Sequence, residues 1–209
     1  MNFEDKRNHR KALIFDFGGV LLDWNPRHLY RKFFNGDQEG MEQFLAEIGF
    51  NEWNLHQDAG RPFVEAVNEL KSRHPTRAEL IEAYHTRWEE SINGTIEPTI
   101  DILVELREKG YPLYGLSNFS TEKFPLVQQR YGFFDWFDDI LLSAEVNLVK
   151  PDPRIYHVLL KRIEREPEEC IMIDDSAQNV ESARQVGIDG IHFRSPDQLK
   201  VELIQRGIL

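Results

Sequence analysis

Carboxylate, hydroxyl and ammonium side chains stand at the ends of short apolar runs in this chain of 209 residues. Asp16 follows the run ALIF, Ser117 follows a run ending in YGL, and the tandem Asp174-Asp175 follows CIMI. Lys150 lies in a loop after a further apolar run. Short apolar runs of this kind are typical of strands in parallel sheets, which are buried on both faces. Side chains at the carboxyl ends of such strands meet in one crevice. These residues are therefore candidates for a single site.

The three acids of this set predict a metal site. Two adjacent acids that follow a buried strand cannot both be buried and ionised without a compensating charge. Asp16, Asp174 and Asp175 would form an oxygen-only site suited to Mg²⁺, which keeps bound waters and shares phosphate oxygens. Two structural alternatives remain open. Asp16 could end its strand as a solvated acid before a turn, and the tandem acids could cap the helix that begins near Ser176.

The remaining polar residues predict contacts with an anionic substrate. Lys150 would be the cation that opposes the substrate's charge, and Ser117 and Asn118 would be hydroxyl and amide donors around it. Alone, a lysine before proline is typical of a surface, and a Ser-Asn pair is typical of a turn. The functional interpretation therefore depends on position, and it requires the fold to bring these residues together.

Composition narrows the class of partner. The net charge of −11 disfavours nucleic acid and anionic membranes, although a local site can still bind a small anionic metabolite. The single cysteine, Cys170, excludes an internal disulfide and a cysteine-rich zinc site. No apolar run approaches the roughly 20 residues of a membrane span. The first ten residues include no apolar segment typical of a signal peptide. We predict a cytoplasmic protein, and the oligomeric state stays open.

The elements that must position these residues alternate in type. Strands are predicted near residues 12–15, 111–116, 139–142, 170–173 and 188–193, with helices between them. This alternation indicates βαβ units and a doubly wound parallel sheet. Between residues 25 and 94 the periodicity is helical and predicts no strand. We therefore predict an α/β core domain over residues 1–24 and 95–209, with a helical cap domain over residues 25–94.

A family resemblance follows from the motifs in their order. They are IFDFGGVLLD around Asp16, YGLSNFS around Ser117, NLVKPDPRIY around Lys150 and MIDDSAQNVESARQVGI around the tandem acids. The set resembles the four motifs of the haloacid dehalogenase-like hydrolase superfamily. Its first motif is similar to that of the subgroup of α-D-glucose-1-phosphate phosphatases. The resemblance implies a Rossmann-like three-layer α/β fold with an inserted α-helical cap.

The resemblance also implies a mechanism. Asp16 would attack phosphorus and form an aspartyl-phosphate that water hydrolyses. Mg²⁺ would be held by the Asp16 carboxylate, the backbone carbonyl of Gly18 and one acid of the tandem pair, with Asp175 favoured over Asp174. Ser117 and Lys150 would bind the phosphoryl oxygens. The cap would close over the site and select the substrate, with residues 57–61 (QDAGR) as the segment expected to reach it.

One departure from the family pattern bears on the substrate. Most phosphatases of the superfamily carry a second aspartate two residues after the nucleophile, as general acid and base, where this chain has Gly18. Without that acid a better leaving group is expected, which predicts a sugar 1-phosphate. Two rival functions remain. A metal-independent 2-haloacid dehalogenase also lacks this acid, although the tandem aspartates would repel a haloacid carboxylate. A non-catalytic binding module on the same fold is the second rival.

Overall fold

The chain folds around a parallel β-sheet. The computed structural model describes residues 10–209, so the predicted lack of a signal peptide falls on residues outside the described part. The sheet has five strands in the order β5-β4-β1-β6-β7. The strands in this part of the chain are β1 Ala12–Phe15, β2 Leu22–Trp24, β3 Ile92–Thr95, β4 Leu113–Ser117, β5 Asp139–Leu142, β6 Cys170–Asp174 and β7 Asp189–His192. The predicted α/β class and its five sheet strands are confirmed.

Strand β1 occupies the centre of the sheet because both of its faces are apolar. It pairs in parallel with β4 on one side and with β6 on the other. Its residues alternate between the two hydrophobic clusters of the protein, with Leu13 and Phe15 in one and Ala12 and Ile14 in the other. Parallel strands covered on both faces have this continuous apolar sequence. The carboxyl ends of β1, β4 and β6 therefore lie next to one another.

Helices cover both faces of the sheet and complete three layers. The α-helices of the described residues are α1 Pro26–Phe34, α2 Gln38–Glu47, α3 Phe50–Asp58, α4 Phe63–Arg73, α5 Ala78–Thr86, α6 Glu97–Glu108, α7 Phe124–Arg130, α8 Ser143–Val146, α9 Pro153–Ile163, α10 Ala177–Gln185 and α11 Pro196–Gln205. Apolar residues of α9 and α10 pack with Ala12 and Ile14, whereas those of α6 and α11 pack with Leu13 and Phe15. Within residues 10–209, no helix has the length and hydrophobicity that crossing a membrane requires.

The helical insertion is joined to the sheet through a small ribbon that was not predicted. Strands β2 and β3 form a separate antiparallel pair with Leu22 opposite Thr95 and Trp24 opposite Ile92. The prediction of no strand up to residue 94 was therefore wrong. These strands are three and four residues long and pair across about seventy residues, so local periodicity carries no signal for them. Along the sequence, helices α1 to α5 come after β2 and before β3, and they form the helical insertion. The division into two domains stays a prediction.

Candidate active site

Asp16 lies directly after β1 and is held in place by two donors. Its backbone N–H donates to the carbonyl of Ile173 at 2.9 Å, which continues the pairing with β6. Its Oδ1 accepts hydrogen bonds from the backbone N–H of Phe17 at 2.7 Å and from Ser117 Oγ at 2.8 Å. Only 8% of its surface is exposed. The alternative of a solvated acid at a strand end is therefore wrong.

Lys150 lies beneath this carboxylate as a buried cation. Its Nζ is 3.0 Å from Asp16 Oδ2 and 2.6 Å from Asp174 Oδ2, and it donates to the carbonyl of Leu116 at 2.8 Å. Although burial alone would lower it, the pKa of Lys150 is raised by the carboxylates of Asp16 and Asp174. The lysine is therefore charged. It is not the surface residue of the structural alternative.

The Asn118 side chain positions the loop that carries Lys150. Its Nδ2 donates to the carbonyl of Lys150 at 2.9 Å, and its Oδ1 accepts the backbone N–H of Lys150 at 2.8 Å. Ser117 is likewise engaged through its hydroxyl, which donates to Asp16. Both residues line the same cavity as Asp16 and Lys150. The predicted substrate donors therefore lie at the site, where their side chains organise the charged groups.

The two tandem acids differ in their surroundings. Asp174 is fully buried, and its Oδ1 accepts the backbone N–H of Ser176 at 2.8 Å and Nδ2 of Asn179 at 3.0 Å. Its Oδ2 receives Lys150. Asp175 is exposed and lines the cavity. The residue that caps α10 is Ser176, whose hydroxyl accepts the N–H of Asn179. The capping role considered for the tandem acids therefore belongs to Ser176.

Gly19 allows the close approach of Asp175. The φ angle of Gly19 is +74°, and a Cβ built there would lie 2.2 Å from Asp175 Oδ2. Only glycine accommodates both conditions. At Gly18, by contrast, a Cβ would meet only the Cβ of Trp24 at 3.9 Å. The loop after β1 therefore places its second glycine against the acid.

The three acids fit a divalent cation. One carboxylate oxygen from each of Asp16, Asp174 and Asp175 can be chosen so that all three lie within 4.8 Å of one another. Opposite ligands of an octahedral Mg²⁺ lie about 4.2 Å apart, given ligand distances of about 2.1 Å. Burial raises the pKa of Asp16 to about 7, with Lys150 lowering it and Asp174 raising it. One lysine does not balance three carboxylates, and an oxygen-seeking cation would supply the missing positive charge.

A cavity of about 300 Å³ extends from these residues toward the helical insertion. Beyond the polar residues already described, its wall is mostly apolar. The residues of this second part, which we call the chamber, are Leu22, Trp24, Asn54, Asp58, Phe63, Tyr84, Trp88, Ile92, Phe119, Ser120 and Lys123. Leu22 and Phe119 lie within the first and second motifs. The motifs did not predict the chamber, because its other apolar residues come from separate elements outside them.

The segment 57–61 reaches the site through one residue only. Asp58 lines the chamber, and its carboxylate accepts Nδ2 of Asn54 at 3.0 Å. Burial, and then the charge of Asp16, raises the pKa of Asp58 well above its usual range. Arg61 does not line the cavity and binds Gln57 at 2.8 Å and Glu69 at 3.0 Å. Arg61 is therefore a structural cation of the insertion.

Comparison with known proteins places the chain among hydrolases. Residues 10–187 match the family of haloacid dehalogenase-like hydrolases. A sesquiterpene phosphatase from Aspergillus oryzae is 28% identical over 198 residues, which are 93% of this chain and 95% of that protein. A D-ribitol-5-phosphate phosphatase from Bacteroides thetaiotaomicron is 26% identical over 86% of this chain and 89% of its own length.

A solved structure extends this likeness to three dimensions. It is a haloacid dehalogenase family enzyme from Bacteroides thetaiotaomicron in complex with magnesium and inorganic phosphate. The two chains superpose with a TM-score of 0.68 at 26% identity, covering 89% of this chain and 95% of the other. The resemblance carried by the sequence motifs is thus matched by the fold.

Proposed function

This chain belongs to the haloacid dehalogenase-like hydrolase family, and we propose that it is a Mg²⁺-dependent phosphatase acting on a small phosphate monoester. The observation that carries the proposal is the convergence of Asp16, Lys150 and the tandem aspartates at the end of the central strand. The magnesium and phosphate complex of the related enzyme supports it. Residues 25–94 would act as the cap over this site.

The metal ligands follow from the differences between the acids. Asp16, Asp175 and the backbone carbonyl of Gly18 would hold Mg²⁺, because Asp174 already binds Lys150, Ser176 and Asn179. Asp174 would then contribute indirectly, because its carboxylate holds the Lys150 ammonium in place. When bound, the cation supplies positive charge that stabilises the phosphoryl group in the transition state.

The residues of the chain would divide the reaction between them. The Asp16 carboxylate would attack phosphorus and the P–O bond to the substrate would break, so that an aspartyl-phosphate forms and the departing oxygen takes a proton from water. A second water would then attack phosphorus and break its bond to the Asp16 oxygen, which releases inorganic phosphate and restores the carboxylate. Lys150 neutralises charge between Asp16 and the phosphoryl oxygens, and the Ser117 hydroxyl keeps the carboxylate in its orientation. Positioning and charge stabilisation supply most of the rate in phosphoryl transfer.

The leaving group is the least constrained part of the substrate. The sugar 1-phosphate suggested by Gly18 stays a prediction. The two curated relatives are named for opposite leaving groups, an apolar sesquiterpene and the polyhydroxylated ribitol. Their identities to this chain differ by only two percentage points, at 28% and 26%, so they do not decide between these classes.

Metal removal separates the phosphatase from its dehalogenase rival. We expect EDTA to abolish phosphate release from p-nitrophenyl phosphate and Mg²⁺ to restore it, because the acids need a cation to bind an anionic substrate. Phosphate release is measured at steady state with and without each addition. The control is halide release from 2-chloropropionate. Halide release at full rate in EDTA would favour the dehalogenase and reject the proposal.

Gly19→Ala tests the placement of Asp175 without removing a charge. Its Cβ would meet Asp175 Oδ2 and its φ would be strained, so Asp175 must shift. Wild-type protein should melt at a higher temperature in saturating Mg²⁺, since a ligand at about 100 times its dissociation constant adds about 2.7 kcal/mol of stability. We expect Gly19→Ala to lose most of this shift in thermal denaturation.

Gly18→Ala is the matched comparison. It keeps the backbone carbonyl, and its Cβ meets only the Cβ of Trp24 at 3.9 Å. It should retain most of the Mg²⁺-induced shift in melting temperature. Equal shifts in both variants and the wild type would mean that Asp175 does not hold the metal.

A further inference from the structure

The chamber beside the reacting groups has a wall unlike that of a sugar site. Seven of its residues are apolar or aromatic, and they come from both ribbon strands, from the helical insertion and from the loop after β4. They are Leu22, Trp24, Phe63, Tyr84, Trp88, Ile92 and Phe119. Aromatic side chains offer large apolar faces to whatever they enclose. The wall is therefore suited to hydrocarbon.

Most polar side chains of the chamber are already engaged by the protein, and Ser120 Oγ accepts the backbone N–H of Glu122 at 3.1 Å. Asn54 accepts the Tyr84 hydroxyl at 2.9 Å through Oδ1 and donates to Asp58 through Nδ2. The Lys123 ammonium donates to the carbonyl of His85 at 2.9 Å and lies 4.6 Å from the centre of the Phe63 ring. A sugar or polyol would bury several hydroxyl groups here with few free partners, which is unfavourable.

Two of the eleven residues of the chamber, Asp58 and Lys123, carry an acid or an amine group. The raised pKa of Asp58 favours its neutral form, so that this carboxyl adds little negative charge. Lys123 is buried against an aromatic ring, and burial lowers its pKa. The Lys123 ammonium is held by the carbonyl of His85 at 2.9 Å, so it is turned in part toward the protein and not wholly toward the chamber. Asp16, Lys150 and Asp175 form the cluster of charged groups at the other end of the cavity, and Lys123 is a single cation in the chamber wall.

We infer that the chamber receives an apolar leaving group, an alkyl chain or an aromatic ring, so that the substrates are hydrophobic phosphate monoesters. This inference rests on the proposed phosphatase activity and replaces the sugar leaving group suggested by Gly18. The phosphate would lie at the charged end, and its hydrocarbon would lie between Trp24, Trp88 and Phe119. The cavity volume of about 300 Å³ limits the group to a short chain or one or two rings.

A series of primary alkyl phosphates tests the inference at constant leaving-group chemistry. Butyl, hexyl and octyl phosphate are compared with glycerol 1-phosphate and ribitol 5-phosphate, all with Mg²⁺. Each buried methylene contributes up to about fourfold in kcat/KM, the factor that corresponds to about 0.8 kcal/mol. We expect kcat/KM to rise about tenfold or more from butyl to octyl phosphate and to exceed that of both polyol phosphates. A higher kcat/KM for either polyol phosphate would overturn the inference.

Two tryptophan variants locate the effect in the chamber. Trp24 and Trp136 are both half-buried, but only Trp24 lines the chamber, while Trp136 packs near Arg107 at 5.4 Å. Trp24→Ala should remove most of the dependence on chain length, and Trp136→Ala should leave it intact. The same loss in both variants, or in neither, would reject the placement of the hydrocarbon in the chamber.

Binding of alkylphosphonates keeps this test separate from catalysis. Butyl- and octylphosphonate are titrated by calorimetry in Mg²⁺, and octylphosphonate should bind at least about tenfold more tightly, with a more negative heat-capacity change. If no phosphate ester is hydrolysed but octylphosphonate still binds more tightly, the proposed function fails and the apolar chamber stands. Equal binding of the two phosphonates would overturn the chamber.

Discussion

Asp16→Asn is expected to lower kcat for phosphate release by about 10⁴-fold or more, the loss typical of removing a catalytic nucleophile. The amide has nearly the shape of the carboxylate, and its oxygen can still accept from Phe17 and Ser117. It cannot form the aspartyl-phosphate at a useful rate. The measurement is steady-state phosphate release from the most active ester with saturating Mg²⁺.

Asp16→Asn is also expected to affect the melting temperature of the metal-free protein. Three carboxylates face one lysine at the site, so removing a negative charge relieves repulsion within the metal-free protein. We expect the melting temperature of Asp16→Asn in EDTA to equal or exceed that of the wild type. Active sites commonly hold destabilising arrangements of this kind for function. A variant that is inactive yet stable would therefore be a catalytic defect and not an unfolded protein.

Asp139→Asn is the matched control for Asp16→Asn. Asp139 begins β5 of the same sheet and pairs with the partly exposed Arg162 at 2.6 Å, outside the cavity. We expect its kcat to remain close to that of the wild type. If Asp16→Asn also kept the wild-type rate, the nucleophile would lie elsewhere. If neither wild type nor variant released phosphate, the non-catalytic binding module would be favoured.

The sequence was sufficient for the central sheet because its signal is local. The central strand β1 is an apolar run of four residues, β6 begins with another, and β4 is largely apolar; the polar residues of the site stand where these runs stop, as at Asp16 after Phe15. Parallel order then brings Asp16, Ser117 and Asp174 together, since β1 lies between β4 and β6. The local pattern that predicts where each strand ends therefore also predicts which charged residues lie together.

The chamber could not be predicted because its wall has no local pattern. Trp24 and Ile92 are brought opposite each other by the pairing of β2 with β3, across about seventy residues. Asn179 lies within the fourth motif, but its hydrogen bond to Asp174 depends on how α10 packs after β6, which the motif does not show. The leaving group depends on this long-range packing, which explains why the motif around Gly18 and the chamber wall suggest different substrates.

Lys150→Met is expected to destabilise the protein by about 3–5 kcal/mol, since it leaves Asp16 and Asp174 as buried carboxylates without their cation. The lysine is 2% exposed and lies 2.6 Å from Asp174 and 3.0 Å from Asp16. For a chain of this size, each kcal/mol lowers the melting temperature by roughly 2–4 °C. Thermal denaturation in EDTA should therefore show a fall of roughly 10 °C. Catalysis should also fall, by roughly 10²–10³-fold, because the phosphoryl oxygens lose a preorganised charge.

A double-mutant cycle assigns this loss to the ion pair. Asp174→Asn in the Lys150→Met background removes the uncompensated charge, so it should recover part of the lost melting temperature, whereas alone it should destabilise. Lys161→Met makes the same substitution at an exposed position of α9 and should change the melting temperature by little. Additive effects of Lys150→Met and Asp174→Asn would show that the two charges are not coupled. Lys150 would then not be the cation that balances Asp16 and Asp174. The proposal that Asp174 holds the lysine while Asp175 binds the metal would be rejected.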